Sequence, residues 1–150
     1  MEEHISFKVE IGTSSVASLI EENQFVWVHD DVNSDNFPAD CHEGTIEVVL
    51  VRLNEVGCDE AQEAIEKAGM HAGGIRELLV VRALRHNSLS RALIVAPAAI
   101  WIDPETRYRY VVASGLERCG DQIGVGMSIE WTGVTWGKDT WFLAFNPMSE

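Results

Sequence analysis

The chain is 150 residues long, with 46% apolar and 23% charged residues and a formal net charge of −13 at pH 7. Such a length suits one domain around one core, and the apolar content is too high for wholesale disorder. So much negative charge argues against direct nucleic-acid binding and against docking on anionic membranes, and it suits a basic protein partner or a cation.

The charge is also unevenly spread. Residues 1–66 hold sixteen Asp and Glu against Lys8 and Arg52, a balance of −14, whereas residues 67–150 come to +1. The opening Met1-Glu2-Glu3-His4 has neither the basic nor the apolar region of a secretory signal. The longest apolar run, Ala92 to Ile102, contains Pro97 and is about half a bilayer span. A cytoplasmic protein without membrane contact is expected. Cys41, Cys58 and Cys119 are odd in number and widely spaced, so reduced thiols are expected rather than a disulfide framework or a zinc knuckle.

In chain order, Ile5, Phe7, Val9 and Ile11 alternate with polar residues, the pattern of a half-buried strand ending at Gly12. Thr13, Ser14 and Ser15 are placed to cap a short helix to about Asn23, with Val16, Leu19 and Ile20 inward. Phe25 to Val28 reads as a second strand, and Asp30 to Gly44, rich in Asp, Asn, Ser and Pro, as a long polar loop. Thr45 to Leu53 is β-rich and apolar enough for a central strand covered on both faces. Ala61, Ala64, Ile65 and Ala68 fall at helical spacing, with Asp59 as N-cap, Gly69 at the end and Glu63–Lys67 as an i,i+4 pair.

Ile75 to His86 is apolar on more than one side and predicts a buried helix whose last turn holds Arg82, Arg85 and His86, with Asn87 as C-cap. Leu93 to Ile102 and Tyr108 to Ala113 predict a hairpin around Asp103-Pro104-Glu105-Thr106, with Pro97 marking an edge or a bulge. Ile123 to Trp131 and Thr140 to Phe145 predict a second hairpin in which Trp131 and Trp141 pair. The whole reads as a single α+β domain of mainly antiparallel sheet with two or three helices.

Several stretches carry a resemblance: Asn36-Phe37-Pro38, Glu47-Val48-Val49-Leu50-Val51, Ile65-Glu66-Lys67-Ala68-Gly69-Met70, Arg76-Glu77-Leu78-Leu79, Ile94-Val95-Ala96 and Trp141-Phe142-Leu143-Ala144. Over residues 36–145 their order resembles an uncharacterised family of small bacterial proteins. The chain departs from that pattern at Ala72-Gly73-Gly74 and at its Ala144-Phe145-Asn146 end. The resemblance implies the domain layout and assigns no catalytic residue.

Candidate chemistry concentrates in residues 29–43. Asp31, Asn33 and Asp35 have the alternate spacing of a calcium loop, but Asn36 and His42 stand where such a loop needs Gly and Glu. A zinc version would draw on His29, Cys41 and His42. The bland alternative is a solvated acidic loop, and by default no cofactor is expected. Cys58, just ahead of a helix, is either a thiol of lowered pKa or an inert buried one. Gly124-Val125-Gly126 lacks the rest of a nucleotide fingerprint and is expected to form a bulge. Trp136 is expected to be exposed on its loop. Arg76, Arg82, Arg85 and Arg91 are expected to face the acidic helix of residues 59–68 rather than a phosphate.

Three functions fit. The leading one is a non-catalytic acidic module for binding or regulating a basic protein, contacting it through Asp30, Asp31, Asp35, Asp40, Glu43 and Trp136. The second is a cation- or small-ligand-binding domain using the loop 29–43. The third is a small enzyme whose pocket draws on His29, His71, Glu77 and Tyr108, which lie far apart in sequence.

Overall fold

A computed structural model of the chain describes residues 3–37, 43–84 and 89–148. Strand β1 (Glu3–Ile11) follows its alternation and leads into helix α1 (Val16–Asn23). There Ser15 Oγ accepts from Ser18 N at 3.1 Å, and Gln24 closes the helix in the left-handed region at φ 56°. Strand β2 (Trp27–Val28) is only two residues long. Strand β3 (Gly44–Arg52) pairs with β1 throughout and with a second strand on its other side, so it is interior but one place from the edge.

Helix α2 (Cys58–Lys67) starts one residue earlier than Asp59 would allow as its cap. Gly57 is the N-cap, and having no side-chain oxygen it leaves only the reverse half of a capping box, Gly57 N donating to Glu60 Oε1 at 3.1 Å. The Glu63–Lys67 pair forms at 3.0 Å. Strand β4 (His71–Ala72) and helix α3 (Ile75–Ala83) follow. The helix runs to Ala83 with Leu84 as its C-cap, and Arg85, His86 and the expected Asn87 cap lie outside the described residues.

Strands β5 (Leu93–Ile102) and β6 (Arg109–Cys119) form the expected hairpin, with the expected irregularity between Ala96 and Ile100, around Pro97. The other hairpin does not exist. Strand β7 (Gln122–Trp131) pairs with β6 and β2, and β8 (Thr140–Pro147) crosses the molecule to pair with β3, β4 and β5. Trp131 therefore opposes Tyr110, while Trp141 opposes Arg52, whose guanidinium lies 4.5 Å from the Trp141 ring centre.

The result is an eight-stranded, mostly antiparallel sheet in the order β1-β3-β8-β5-β6-β7-β2, with β4 added beside β8. Side chains along each interior strand alternate between two apolar layers. Ile46, Val48 and Leu50 of β3 join Leu78 and Leu79 of α3 and Leu19 of α1 on one face, whereas Val49 and Val51 join Cys58, Ala61 and Ile65 of α2 on the other. Among the described residues no helix is long and apolar enough to cross a membrane.

Two sequence expectations are revised by this layering. Arg76 and Arg82 sit on α3, on the face opposite α2, and do not meet the acidic helix: Arg76 donates to the carbonyls of Gly12 and Ser14, and Arg82 to those of Leu89, Ala92 and Ser114. Arg109, outside that group, does approach α2, its Nη1 lying 3.7 Å from Asp59 Oδ1. The Gly124 and Gly126 pairings are regular, without a bulge. A Cβ on Gly124 would lie 2.5 Å from Val26 Cγ1 and one on Gly126 2.9 Å from Trp27 O, so these glycines let the β2 segment lie close against β7.

Candidate functional site

The sheet is split on one side of β8. Leu93, Ile94 and Val95 of β5 pair in parallel with Thr140, Trp141 and Phe142 of β8, and then the irregularity around Pro97 carries β5 away. Strand β4 fills the gap that opens, His71 pairing with Phe145 and Ala72 with Ala144. Gly73 N donates to Leu143 O at 2.8 Å and Ala98 N to Gly73 O at 2.9 Å, so Gly73 bridges the parted strands. A Cβ there would lie 2.4 Å from Leu143 Cγ, which makes glycine a requirement of the close approach.

A cavity of about 740 Å³ opens at this split. It reaches both apolar layers: Phe37, Ile75 and Phe145 belong to one, Met70 and Ile100 to the other. Its polar groups are Asn36, Gln62, Glu66, His71 and Glu77. Glu77 is 2% exposed at the start of α3, where its Oε1 accepts from Gly74 N at 2.7 Å and the helix dipole favours its negative charge. The exposed His71 ring stacks on Phe145 with centroids 5.3 Å apart and planes at 28°. Among the described residues neither Lys nor Arg lines the cavity.

The loop 29–37 supplies one wall through a network of its own. Asn33 Oδ1 accepts from Asp35 N at 3.0 Å and Asn36 N at 2.9 Å, while its Nδ2 donates to Asp30 O at 2.8 Å. Asn36 Nδ2 donates to Asp31 O at 2.9 Å and Phe37 N to Asn33 O at 3.0 Å. These bonds set Asn36 and the buried Phe37 against the cavity.

The calcium pattern is therefore spent differently, since the Asn33 oxygen already serves two backbone donors. Among the described residues no three His, Cys, Asp or Glu are grouped as metal ligands. His29 Nδ1 accepts from Asp31 N at 3.1 Å and lies 3.8 Å from Asp31 Oδ2, so the His29 ring is engaged within the loop itself. Asp40, Cys41 and His42 lie outside the described residues.

The proposed partner-contacting residues divide. Asp30, Asp35 and Glu43 are exposed and Asp31 is half-buried. Trp136 is not exposed: at 7% it packs with Val49, Val51 and Cys58, held by an isolated bridge to Val56 that the sequence does not announce. Trp131, at 53%, is exposed instead. The acids of residues 1–66 also fail to form one face. Glu21 and Glu22 ride on α1 and Asp59, Glu60, Glu63 and Glu66 on α2, on opposite sides of the sheet.

Of the four residues named for a pocket, His71 and Glu77 share the cavity, whereas His29 and Tyr108 do not line it. Sequence reasoning missed Gln62, Glu66, Met70 and Phe145. The available signal was Pro97 inside a strand pattern, which requires that strand to leave its neighbour somewhere near. Cys58 does not have a lowered pKa: burial first, and the Asp59 carboxylate second, push its thiol up to about 11 against the pull of Arg109. Its Sγ lies 3.6 Å from Pro97 O beneath α2.

Comparisons with known proteins returned no match, whether to family models, to curated proteins or to solved structures.

Proposed function

We propose that this protein is a small-ligand-binding domain, and that the cavity at the split sheet takes an organic cation with an apolar body, such as an arylalkyl or alkyl amine. The observation that carries this reading is the lining itself. Glu66 and Glu77 bring carboxylates, the described lining residues include no lysine or arginine, and Phe37, Met70, Ile75, Ile100 and Phe145 supply apolar and aromatic surface. The volume is that of an ordinary small-molecule pocket. The chain's net charge of −13 raises the local concentration of cations around it.

The reading keeps part of the loop 29–43 at the site, through Asn36 and Phe37, as walls rather than as metal ligands. Its test is thermal denaturation of the full chain with a series of amines, their isosteric alcohols and matching carboxylates. A bound amine at about 100 times its Kd adds about 2.7 kcal/mol to stability. The expected pattern is a raised midpoint with amines alone, reduced in Glu66→Gln. Equal shifts with the alcohols, or none with any amine, contradict it.

A basic protein partner is the second reading, now confined to α2, whose outer face exposes Asp59, Glu60, Glu63 and Glu66. Salt-sensitive capture of such a partner by the chain, lost in a Glu60→Lys/Glu63→Lys variant, supports it. Capture that survives the double reversal removes it.

A further inference from the structure

The two ends of the sheet are unlike. One ends in β2, two residues long, and the other in β1, nine residues long, which pairs in unbroken register with β3 and, among the described residues, with nothing on its outer side. Edge strands are usually shortened, bulged, interrupted by proline or guarded by charged side chains because an open row of backbone donors and acceptors invites another strand, and β1 carries charge, with Lys8 and Glu10 exposed on one face. Strand β1 contains no proline, glycine or bulge. Val9 and Ile11 are buried, whereas Ile5 and Phe7, on the same face, are only partly covered.

The geometry points to a second copy of this chain as the occupant of that edge, paired β1 to β1 in antiparallel fashion about a twofold axis at Phe7. The argument is the order of side chains. Pairing about Phe7 sets His4 opposite Glu10 of the partner subunit and Ser6 opposite Lys8 of the partner subunit on one face. On the other it sets Ile5 opposite Val9 of the partner subunit and the two Phe7 rings together. The apolar layer above β1 then runs on into the second copy. A slip of one residue would turn apolar side chains out of that layer. An axis at Lys8 would set the two lysines against each other, and an axis at Ser6 would set His4 against Lys8 and pull Glu10 out of the described pairing. The Phe7 axis thus pairs an imidazole with a carboxylate and opposes no like charges, whereas the Lys8 axis does oppose them.

The inference is independent of the ligand reading, since no residue of β1 lines the large cavity. The test is sedimentation equilibrium of the full chain over a range of concentrations at a fixed ionic strength of about 0.15 M, where the Debye length of about 8 Å damps the repulsion between two acidic molecules more than it does charges directly opposite each other across the strands. The wild type is expected to dimerise. His4→Glu sets glutamate against Glu10, and Glu10→Lys sets lysine against His4, in both cases twice per dimer. Each change is expected to weaken the dimer by about tenfold. His4→Glu/Glu10→Lys restores opposite charges and is expected to recover the affinity. Both positions are exposed, and circular dichroism of each variant checks the fold. A wild type that is monomeric at every concentration overturns the inference. So does a dimer indifferent to the single substitutions, or one that the double variant fails to rescue.

Discussion

Arg82 Nε donates to Ser114 Oγ at 2.8 Å, and Ser114 Oγ donates in turn to Gly126 O at 2.8 Å, linking α3 through β6 to β7. The guanidinium also donates to the carbonyls of Leu89, Ala92 and Ser114 at 2.7 to 2.8 Å. These partners among the described residues are neutral acceptors. Arg82 is 6% exposed, and its burial lowers its pKa from 12.5 to about 10. It remains charged at neutral pH, and its five-donor fork is matched to a cluster of carbonyls that no other side chain could satisfy together.

Removing that fork leaves several buried acceptors without donors. Arg82→Met is expected to cost about 3 kcal/mol or more, whereas Ser114→Ala, which deletes one donor and one acceptor, should cost about 1 to 2 kcal/mol. Chemical denaturation of both variants checks the order. Equal losses would place the weight on Ser114 instead.

Gly73 is fixed by contact rather than by turn geometry, because a Cβ there would lie 2.4 Å from Leu143 Cγ and 3.0 Å from Leu143 Cβ. Gly73→Ala is expected to destabilise the chain by about 1 to 3 kcal/mol. Leu143→Ala alone, at a fully buried position, should cost about 2 to 5 kcal/mol, and the double variant less than the sum of the two. Strict additivity in that cycle would show that the two residues do not meet.

The Cys58 thiol titrates near 11 in the folded chain against an ordinary 9.0, so the folded state holds its proton more tightly than the unfolded one. Its contribution to stability is complete below pH 9 and is lost as pH rises towards about 11. Between those values the wild type should lose more stability than Cys58→Ala. In a Cys41→Ser/Cys119→Ser background, Cys58 should resist a thiol reagent at neutral pH until the chain is unfolded. Rapid labelling of the native protein would contradict the burial.

The tryptophans offer a direct check on packing. Trp136→Ala is expected to cost about 3 kcal/mol or more, and Trp131→Ala much less, because only the first empties a buried site. The reverse order would restore the exposure that the sequence suggested.

Where a segment's pattern is local, the sequence was a good guide. The alternation of Ile5 to Ile11, the Ala61–Ile65 spacing and the hairpin around Asp103-Pro104 depend on neighbours a few residues away, and each forms as expected. The partner of β8 was not legible, because Thr140 to Phe145 would suit any apolar neighbour and the Gly133–Asp139 turn does not compel a hairpin. In the fold its neighbours are β3, far back in the chain, and the parted β4 and β5. The cavity was illegible for the same reason. Asn36, Glu66, His71, Glu77 and Phe145 come from five different stretches, brought together by the divergence around Pro97. His71 and Glu77 carried a hint of it, whereas Glu66 reads as an ordinary solvent-facing charge on α2.

The most direct test of the central claim is a titration of the isotope-labelled full chain with an arylalkyl amine, followed by backbone amide chemical shifts. The account predicts saturable changes concentrated at residues 69–77 and 98–100, and none with the alcohol of the same shape. Changes spread over the acidic surface, or the same changes with the alcohol, would contradict a cavity built for an organic cation.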